Sequence, residues 1–418
     1  MGAMNAKAKD LRGHYEVEER LKNQGNRVHY ELVHSVNNIL NGKRRSDGSP
    51  DPQFPGARDQ LKGKQLERIC TALIVGVYSG GDTTSGSEKV VRKQSAGKIT
   101  EERVIVPSST TCGHILMTGL PGAGKTHLGK VASSLFGLSF GRFQMTPDKT
   151  PREITVYASK EGDETFINYS ALFNNMVLAD EINRATPKTQ SALLEGMSEG
   201  SVSFKSKGTD ITEVLPHPFI VMGTQNPLEH EGTYPLPEAQ LDRFMMNILF
   251  PLADKETIIA ILRFLKIQLS TMTRPVTNAE QILRCREFIW NEIEVSEEIE
   301  DYIADLIVGC YDPLQFKDIF PSIHERSGLV KNPPNVRAAM HLRNASKTLA
   351  AIRGSRKVEA RDVKKRFYEI VNHRFILNEN LRGEFAKYGG RDEFVRLLVL
   401  GDKERDMHGI LDVVPVPE

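Results

Sequence analysis

An apolar run, His114-Ile115-Leu116-Met117-Thr118, passes directly into Gly119-Leu120-Pro121-Gly122-Ala123-Gly124-Lys125-Thr126, and a helical pattern opens near Thr126. Strand, glycine loop and helix in that order fit a layered α/β fold, with the loop at the carboxyl end of a buried parallel strand. The G-x-x-x-x-G-K-T spacing lets backbone N–H groups turn inward around an anionic phosphate. The following helix presents its positive end to the same point. Lys125 then stands to reach the β- and γ-phosphates of a nucleotide, and the Thr126 hydroxyl to ligate Mg²⁺. The expected nucleotide-holding set is Gly119, Pro121, Gly122, Ala123, Gly124, Lys125, Thr126 and the adjoining His127.

A second apolar strand, Met176-Val177-Leu178-Ala179, ends in Asp180-Glu181, with Asp180 fifty-five residues after Lys125. A parallel sheet sets strand ends side by side, so this strand can deliver Asp180 beside the phosphate loop. Asp180 is expected to hold Mg²⁺ through its water shell, and Glu181 to polarise the water that attacks the γ-phosphate. A third strand, Pro218 to Gln225, ends at Asn226, whose amide can orient that water or touch the γ-phosphate. Next comes Glu238-Ala239-Gln240-Leu241-Asp242-Arg243-Phe244. Arg243 can serve as a finger on a neighbouring subunit's γ-phosphate, or sit in a local salt bridge on the surface.

The block Asp180-Glu181-Ile182-Asn183-Arg184-Ala185-Thr186-Pro187-Lys188-Thr189-Gln190-Ser191-Ala192-Leu193-Leu194-Glu195 resembles the signature of the MoxR family of AAA+ ATPases. So do Thr224-Gln225-Asn226-Pro227 and the run from Glu231 to Phe244. The similarity extends from about Leu61 to Asn380, interrupted between Ser79 and Pro107. It implies an AAA+ phosphate-loop core followed by an all-helical lid, a homo-hexameric ring with ATP between subunits, and chaperone-like remodelling. The partner it implies is a protein, often one with a von Willebrand factor A domain. By the same resemblance, Arg243 corresponds to the family's trans-acting arginine. Arg337, in Asn335-Val336-Arg337-Ala338, corresponds to the lid arginine that senses nucleotide. A small residue and proline often precede that arginine in the family; Asn335-Val336 stand there in this chain.

A chain of 418 residues is expected to form two or three domains. With 55 Lys and Arg against 54 Asp and Glu, net charge supplies no global drive toward nucleic acid or membrane. The longest apolar run, Ala72 to Val77, is far shorter than the roughly 20 residues that span a bilayer. The start lacks an apolar signal core, so the cytoplasm is the expected compartment. Cys70, Cys112, Cys285 and Cys310 show no C-x-x-C pairing, which points to neither a disulfide framework nor a zinc site.

The sequence divides into an N-terminal helical and linker extension over 1–60, an α/β core over 61–250, a helical lid over 251–380 and a C-terminal extension over 381–418. Within the first, apolar residues at helical spacing predict helix between Tyr15 and Leu40, and Lys43 to Ala57 reads as linker. Leu61 to Tyr78 reads as an amphipathic helix. The insertion at about 79–110 departs from the family pattern. Glu88 to Lys93 and Thr100 to Val106 read as two strands around Ala96-Gly97-Lys98, either an added hairpin for a partner or ring contact, or a surface loop without a role. The resemblance implies a small β element between Thr150 and Tyr169, for which Gly162-Asp163 supplies a turn, and the residues predict a second hairpin between Gly200 and Val214. They either face a pore, where subunit motion acts on a substrate, or merely cap the sheet. Helices are expected at Asp254 to Ile259, Ala279 to Asn291, Ser296 to Gly309, Asn335 to Ile352, Glu359 to Asn372 and Phe385 to Leu400.

Residues 326 to 374 hold thirteen Lys and Arg against three acids. Clustered basic charge leaves a nucleic-acid motor as the alternative to a protein remodeller, although a lid beside a triphosphate also favours positive charge. A nucleotide-dependent platform with little turnover is a third reading, against which Glu181, Asn226 and Arg243 all argue.

Overall fold

The structure is a computed structural model. It describes residues 20–22, 27–41, 64–79, 86–95, 98–107, 113–120, 122, 124–161, 164–206, 209–226, 233–250, 255, 275–311, 330–378, 380, 382–405 and 407–417. The linker expected over 43–57 and all but Lys255 of the helix expected at Asp254 to Ile259 lie outside these residues.

Helices α1 (Arg27–Asn41) and α2 (Lys64–Tyr78) precede an antiparallel hairpin, β1 (Gly86–Ser95) with β2 (Lys98–Pro107). The core follows as β3 (Ile115–Gly119), α3 (Lys125–Phe136), β4 (Phe140–Gln144) and the short α4 (Pro151–Ile154). Next come the hairpin β5 (Val156–Glu161) with β6 (Glu164–Tyr169), then β7 (Met176–Asp180) and α5 (Pro187–Glu199). A third hairpin, β8 (Ser201–Ser206) with β9 (Thr209–Val214), leads to β10 (Ile220–Gln225), α6 (Glu238–Leu241) and β11 (Met246–Phe250). The remainder is α7 (Ala279–Glu292), α8 (Glu297–Gly309), β12 (Val330–Asn332), α9 (Val336–Ile352), α10 (Ala360–Val371), β13 (Ile376–Leu377), α11 (Arg382–Lys387), α12 (Arg391–Leu400) and α13 (Ile410–Val413).

Five strands form one parallel sheet in the order β11-β3-β10-β7-β4. The first strand in sequence therefore lies between the last two, and the carboxyl ends of β3, β7 and β10 converge on one edge. Alternation along each strand serves two apolar layers, because successive side chains point to opposite faces. Met117, Leu178 and Met222 enter one cluster; Leu116, Val177, Ala179 and Val221 enter the other. The three central strands are buried on both faces, which is why they read as continuous apolar runs.

The first of those clusters continues without a break into the helical lid. Helices α1 and α2 both pack against α7 and α9, so the N-terminal segment shares a core with the lid. Polar bonds fix that packing. Arg20 Nη2 donates to the Gly354 carbonyl at 2.8 Å, His29 Nε2 to the Ala351 carbonyl at 2.7 Å, and buried Arg286 Nε to the Val77 carbonyl at 2.9 Å. The lid is helical, with one short antiparallel pairing of β12 and β13.

The insertion is a hairpin, and β1 lies alongside β9, while β5 lies beside β8; the three hairpins are neighbours. The segment expected as one helix from Phe385 to Leu400 is two. Tyr388-Gly389-Gly390 breaks it, with φ of 92° and 99° at the glycines, a region that helical residues do not enter.

Candidate active site

The phosphate loop joins β3 to α3, and its glycines are required for two different physical reasons. Gly122 and Gly124 have φ of 80° and 83°, and a Cβ at either would meet nothing within 4 Å, so their demand is on the backbone. Gly119 is a demand on space, because a Cβ there would come within 2.6 Å of the Phe250 Cβ, its register partner on β11. Pro121 and Ala123 lie outside the described residues. Half-buried Lys125 folds back over the loop and donates to the Gly119 carbonyl at 2.5 Å and the Leu120 carbonyl at 3.1 Å. Burial lowers its pKa, against the opposing pull of Asp180 and Glu181. His127, in the first turn of α3, is lowered by burial and by Lys130.

Asp180 ends β7 beside the loop, as the parallel pairing requires. Thr126 Oγ1 donates to Asp180 Oδ2 at 3.2 Å, Arg142 Nη2 to the same oxygen at 2.7 Å, and Thr224 Oγ1 to Asp180 Oδ1 at 2.6 Å. Burial alone would raise this carboxyl, but the bonds from Thr224 and Arg142 outweigh it and hold the group below the usual carboxylate range. A hydroxyl and an ionised carboxylate at this spacing are hard oxygen donors of the kind Mg²⁺ takes.

Glu181 has φ 56° and ψ 50°, alone among the described non-glycine residues in carrying a positive φ. Its N–H donates to Thr224 Oγ1 at 2.9 Å, which anchors this left-handed turn. The carboxylate accepts from Gln144 Nε2 at 2.7 Å and pairs with Arg184 Nη1 at 3.1 Å. Gln144 and Asp180 are register partners on β4 and β7, and Arg142 lies two residues earlier on the same face of β4.

The other strand ends are tied laterally. Gln225 Nε2 donates to Thr118 Oγ1, and Thr118 Oγ1 to Asn247 Oδ1, each at 2.8 Å, linking β10, β3 and β11 beneath the loop. Asn226 follows β10 directly, and its carbonyl accepts from the Asn183 side chain at 3.4 Å. Fully buried Gln190 on α5 donates to the Ile182, Ala185 and Tyr234 carbonyls at 3.2, 3.1 and 3.0 Å. It thereby holds the turn after Glu181 to the segment leading to α6.

Arg243 is set apart from this cluster. It sits in the turn after α6, where Nη1 donates to the Leu194 carbonyl of α5 at 2.9 Å. Its neighbour Asp242 receives the lid: Arg337 Nη1 donates to Oδ2 at 2.7 Å, Asn335 Nδ2 to Oδ2 at 3.1 Å, and buried Arg374 Nε to Oδ1 at 2.8 Å. The structure thus brings together Lys125, Thr126, Asp180, Glu181 and Asn226 at the strand ends, and joins Arg337 to the turn of Arg243. Sequence reading assigned no role to Thr224, Arg142, Gln144 or Asp242. An alternating pattern at Phe140-Gly141-Arg142-Phe143-Gln144 was the available signal for the second and third of these.

Among the described residues no group of three or more His, Cys, Asp or Glu side chains is arranged to hold a metal ion, and no helix is long and apolar enough to cross a membrane. Cys285 and Cys310 are buried free thiols, the former pushed up to about 12 by burial.

Residues 114–246 match the ATPase family associated with various cellular activities (AAA), and residues 335–387 match the AAA lid domain. Chaperone MoxR1 of Mycobacterium tuberculosis is 34% identical over 275 residues, covering 63% of this chain and 68% of the relative. The uncharacterized protein YeaC of Bacillus subtilis is 38% identical over 205 residues, or 47% of this chain and 60% of that one. Protein MoxR of Paracoccus denitrificans is 25% identical over 66% of this chain and 83% of the relative. A crystal structure from Cytophaga hutchinsonii, assigned as an ATPase, aligns with a TM-score of 0.65 at 25% identity, covering 99% of this chain and all of that one.

Proposed function

This chain belongs to the MoxR family of AAA+ ATPases, and on that premise we propose that it hydrolyses ATP as a ring-forming, chaperone-like remodeller of a partner protein. The observation that carries the reading is the convergence of Lys125, Thr126, Asp180 and Glu181 at adjacent ends of one parallel sheet. The loop N–H groups and the start of α3 would cradle the phosphates, with Lys125 moving from the Gly119 and Leu120 carbonyls to the β- and γ-oxygens. Thr126 and Asp180 would hold Mg²⁺, which neutralises developing phosphate charge when bound. Glu181 would accept the proton of the attacking water, Asn226 would orient that water, Arg337 would sense the γ-phosphate, and Arg243 would serve the neighbouring subunit's site.

The same reading includes a homo-hexamer, a protein partner with a von Willebrand factor A domain, and a cytoplasmic setting. It divides the chain into a core over 61–250 and a lid over 251–380, with the N-terminal helices packed on the lid. The adjacency of all three hairpins supports a role for the 79–110 insertion in contacting whatever the other two engage.

Glu181→Gln binds ATP but turns it over slowly, because an amide accepts no proton, so it traps the assembled, partner-bound state. The expected result is specific recovery of one protein with the trapped variant and none with Lys125→Ala. Wild-type turnover by Glu181→Gln would overturn the assignment of the base. Stimulation of turnover by DNA and not by the recovered protein would replace a protein remodeller with a nucleic-acid motor.

A further inference from the structure

Three side chains donate to the Asp180 carboxylate, and they hold it differently. Thr224 Oγ1, buried on a central strand, donates to Oδ1 at 2.6 Å. Thr126 Oγ1 and Arg142 Nη2 converge on Oδ2 at 3.2 and 2.7 Å. The shorter of these two bonds comes from the margin of the fold. β4 is the last strand of the sheet, and the Arg142 side chain is 43% exposed where that of Asp180 is 12% exposed. The same Nη2 also donates to Gln144 Oε1 at 3.3 Å, on the same face of β4.

A carboxylate oxygen offers two lone pairs, and Oδ2 has both engaged. Thr126 can keep its bond beside a metal, because its hydroxyl donates the proton to Asp180 and still has lone pairs to offer. Arg142 cannot share in that way. A guanidinium only donates, and it fills the acceptor position on Oδ2 that a metal-bound water needs. Mg²⁺ keeps several of its waters in protein sites, so a carboxylate that holds it through water must have that position open. Arg142 is also the partner free to leave. It reaches in on a long side chain open to water, whereas Thr224 is buried between strands and Thr126 is fixed in the first turn of α3.

We propose that Arg142 is a positioning residue that stands in for Mg²⁺, holding the Asp180 carboxylate until metal enters with the nucleotide and then giving it up. Metal affinity is thereby set by an exchange of cations at Asp180. The exchange fixes a sign. Removing an arginine that only orients Asp180 weakens the hold on metal, whereas removing one that competes for Asp180 strengthens it. Arg184 supplies the comparison, since it is 44% exposed and pairs at 3.1 Å with the adjoining Glu181 instead. The proposal rests on the reading that Thr126 and Asp180 hold Mg²⁺.

The test measures ADP binding to full-length chains against free Mg²⁺, so that no turnover is involved. The readout is the Mg²⁺ concentration that gives half of the metal-dependent gain in ADP affinity. In Arg142→Gln it is expected to fall about threefold to fivefold, the worth of one half-exposed ion pair. Arg184→Gln removes the same charge from Glu181 and should move it by less than about twofold, because exposed charges not in contact are screened. A rise or no change in Arg142→Gln overturns the proposal. So does an equal fall in both variants, which would mean that the site senses only net charge. A second measurement uses the wild-type chain, where the folding of a variant does not enter. Arg142 should be modified by phenylglyoxal faster in ADP with Mg²⁺ than in ADP with EDTA, read on its peptide by mass spectrometry, because the guanidinium has left Asp180. Equal or slower modification overturns the proposal. Wild-type ADP binding that is indifferent to Mg²⁺ overturns the metal reading on which it stands.

Discussion

The Thr224 hydroxyl donates to Asp180 Oδ1 at 2.6 Å and, through its lone pair, receives the Glu181 N–H at 2.9 Å. One oxygen on β10 therefore sets the two carboxylates at the end of β7. The Glu181 backbone is in a left-handed conformation that costs roughly 1–2 kcal/mol for a residue with a Cβ, and the Thr224 bond offsets part of that cost. Thr224→Val keeps the shape and removes both bonds. The expected effect is a fall in kcat of roughly tenfold to a hundredfold, from the usual cost of stranding a buried polar group, with ATP still bound. Steady-state kinetics beside a nucleotide-binding titration checks this, and an unchanged kcat refutes it.

Glu181 accepts from Gln144 at 2.7 Å and pairs with Arg184 at 3.1 Å, both of which compete with any water for its lone pairs. Removing one tether should free the base rather than weaken it. Gln144→Ala is expected to raise turnover in the absence of partner by about three- to tenfold, the worth of one side-chain hydrogen bond. A lowered basal rate would mean that Gln144 orients the base instead of restraining it.

The strands that end at Gly119, Asp180 and Gln225 were legible because each is buried on both faces and reads as an unbroken apolar run between turn residues. The two edge strands were not. β4 alternates exposed and buried residues over only five positions, and β11 follows the Arg243 turn without a punctuating glycine or proline. Missing β4 hid Arg142 and Gln144, whose contacts with Asp180 and Glu181 arise from strand order and register, quantities no local window contains. Asp242 was in plain view beside Arg243, yet its meaning lies in Arg337 and Arg374, which are 95 and 132 residues away. The N-terminal helix was legible as a helix, but its apolar face does not name its partner, and packing on α7 and α9 emerges only in three dimensions.

His114, just before β3, is fully buried with both ring nitrogens engaged: Nδ1 accepts from the Val221 N–H at 3.0 Å, and Nε2 donates to the Met197 carbonyl at 3.2 Å. Burial pushes its pKa down to about 4. A histidine depressed in the folded state favours folding fully above its unfolded pKa of about 6.5, and that stability is lost as pH falls toward 4. The loss from this group approaches about 3 kcal/mol. Buried His341 and His373 are depressed too and add to the loss in the same direction. Thermal melts should therefore fall steadily from pH 7 to pH 4.5, and His114→Gln should be less stable at pH 7 but show a shallower slope. Identical slopes would assign the acid sensitivity to other groups.

Arg243 donates to the Leu194 carbonyl of its own chain and must leave it to reach a neighbour's γ-phosphate. The bond surrendered is worth about 1 kcal/mol, whereas an arginine that meets transition-state charge contributes 10³-fold or more, so the exchange favours the finger once a neighbour is in place. Arg243→Ala is expected to keep ATP affinity and lose turnover by roughly that factor. Mixing it with Glu181→Gln should restore part of the activity, since each Arg243→Ala chain retains an intact base that a Glu181→Gln neighbour can serve. The rate per chain should also rise with protein concentration if the site is completed by a second chain, as proposed. Activity per chain that is independent of concentration, together with no recovery on mixing, would leave Arg243 as a clamp on α5 and remove the argument for a shared site.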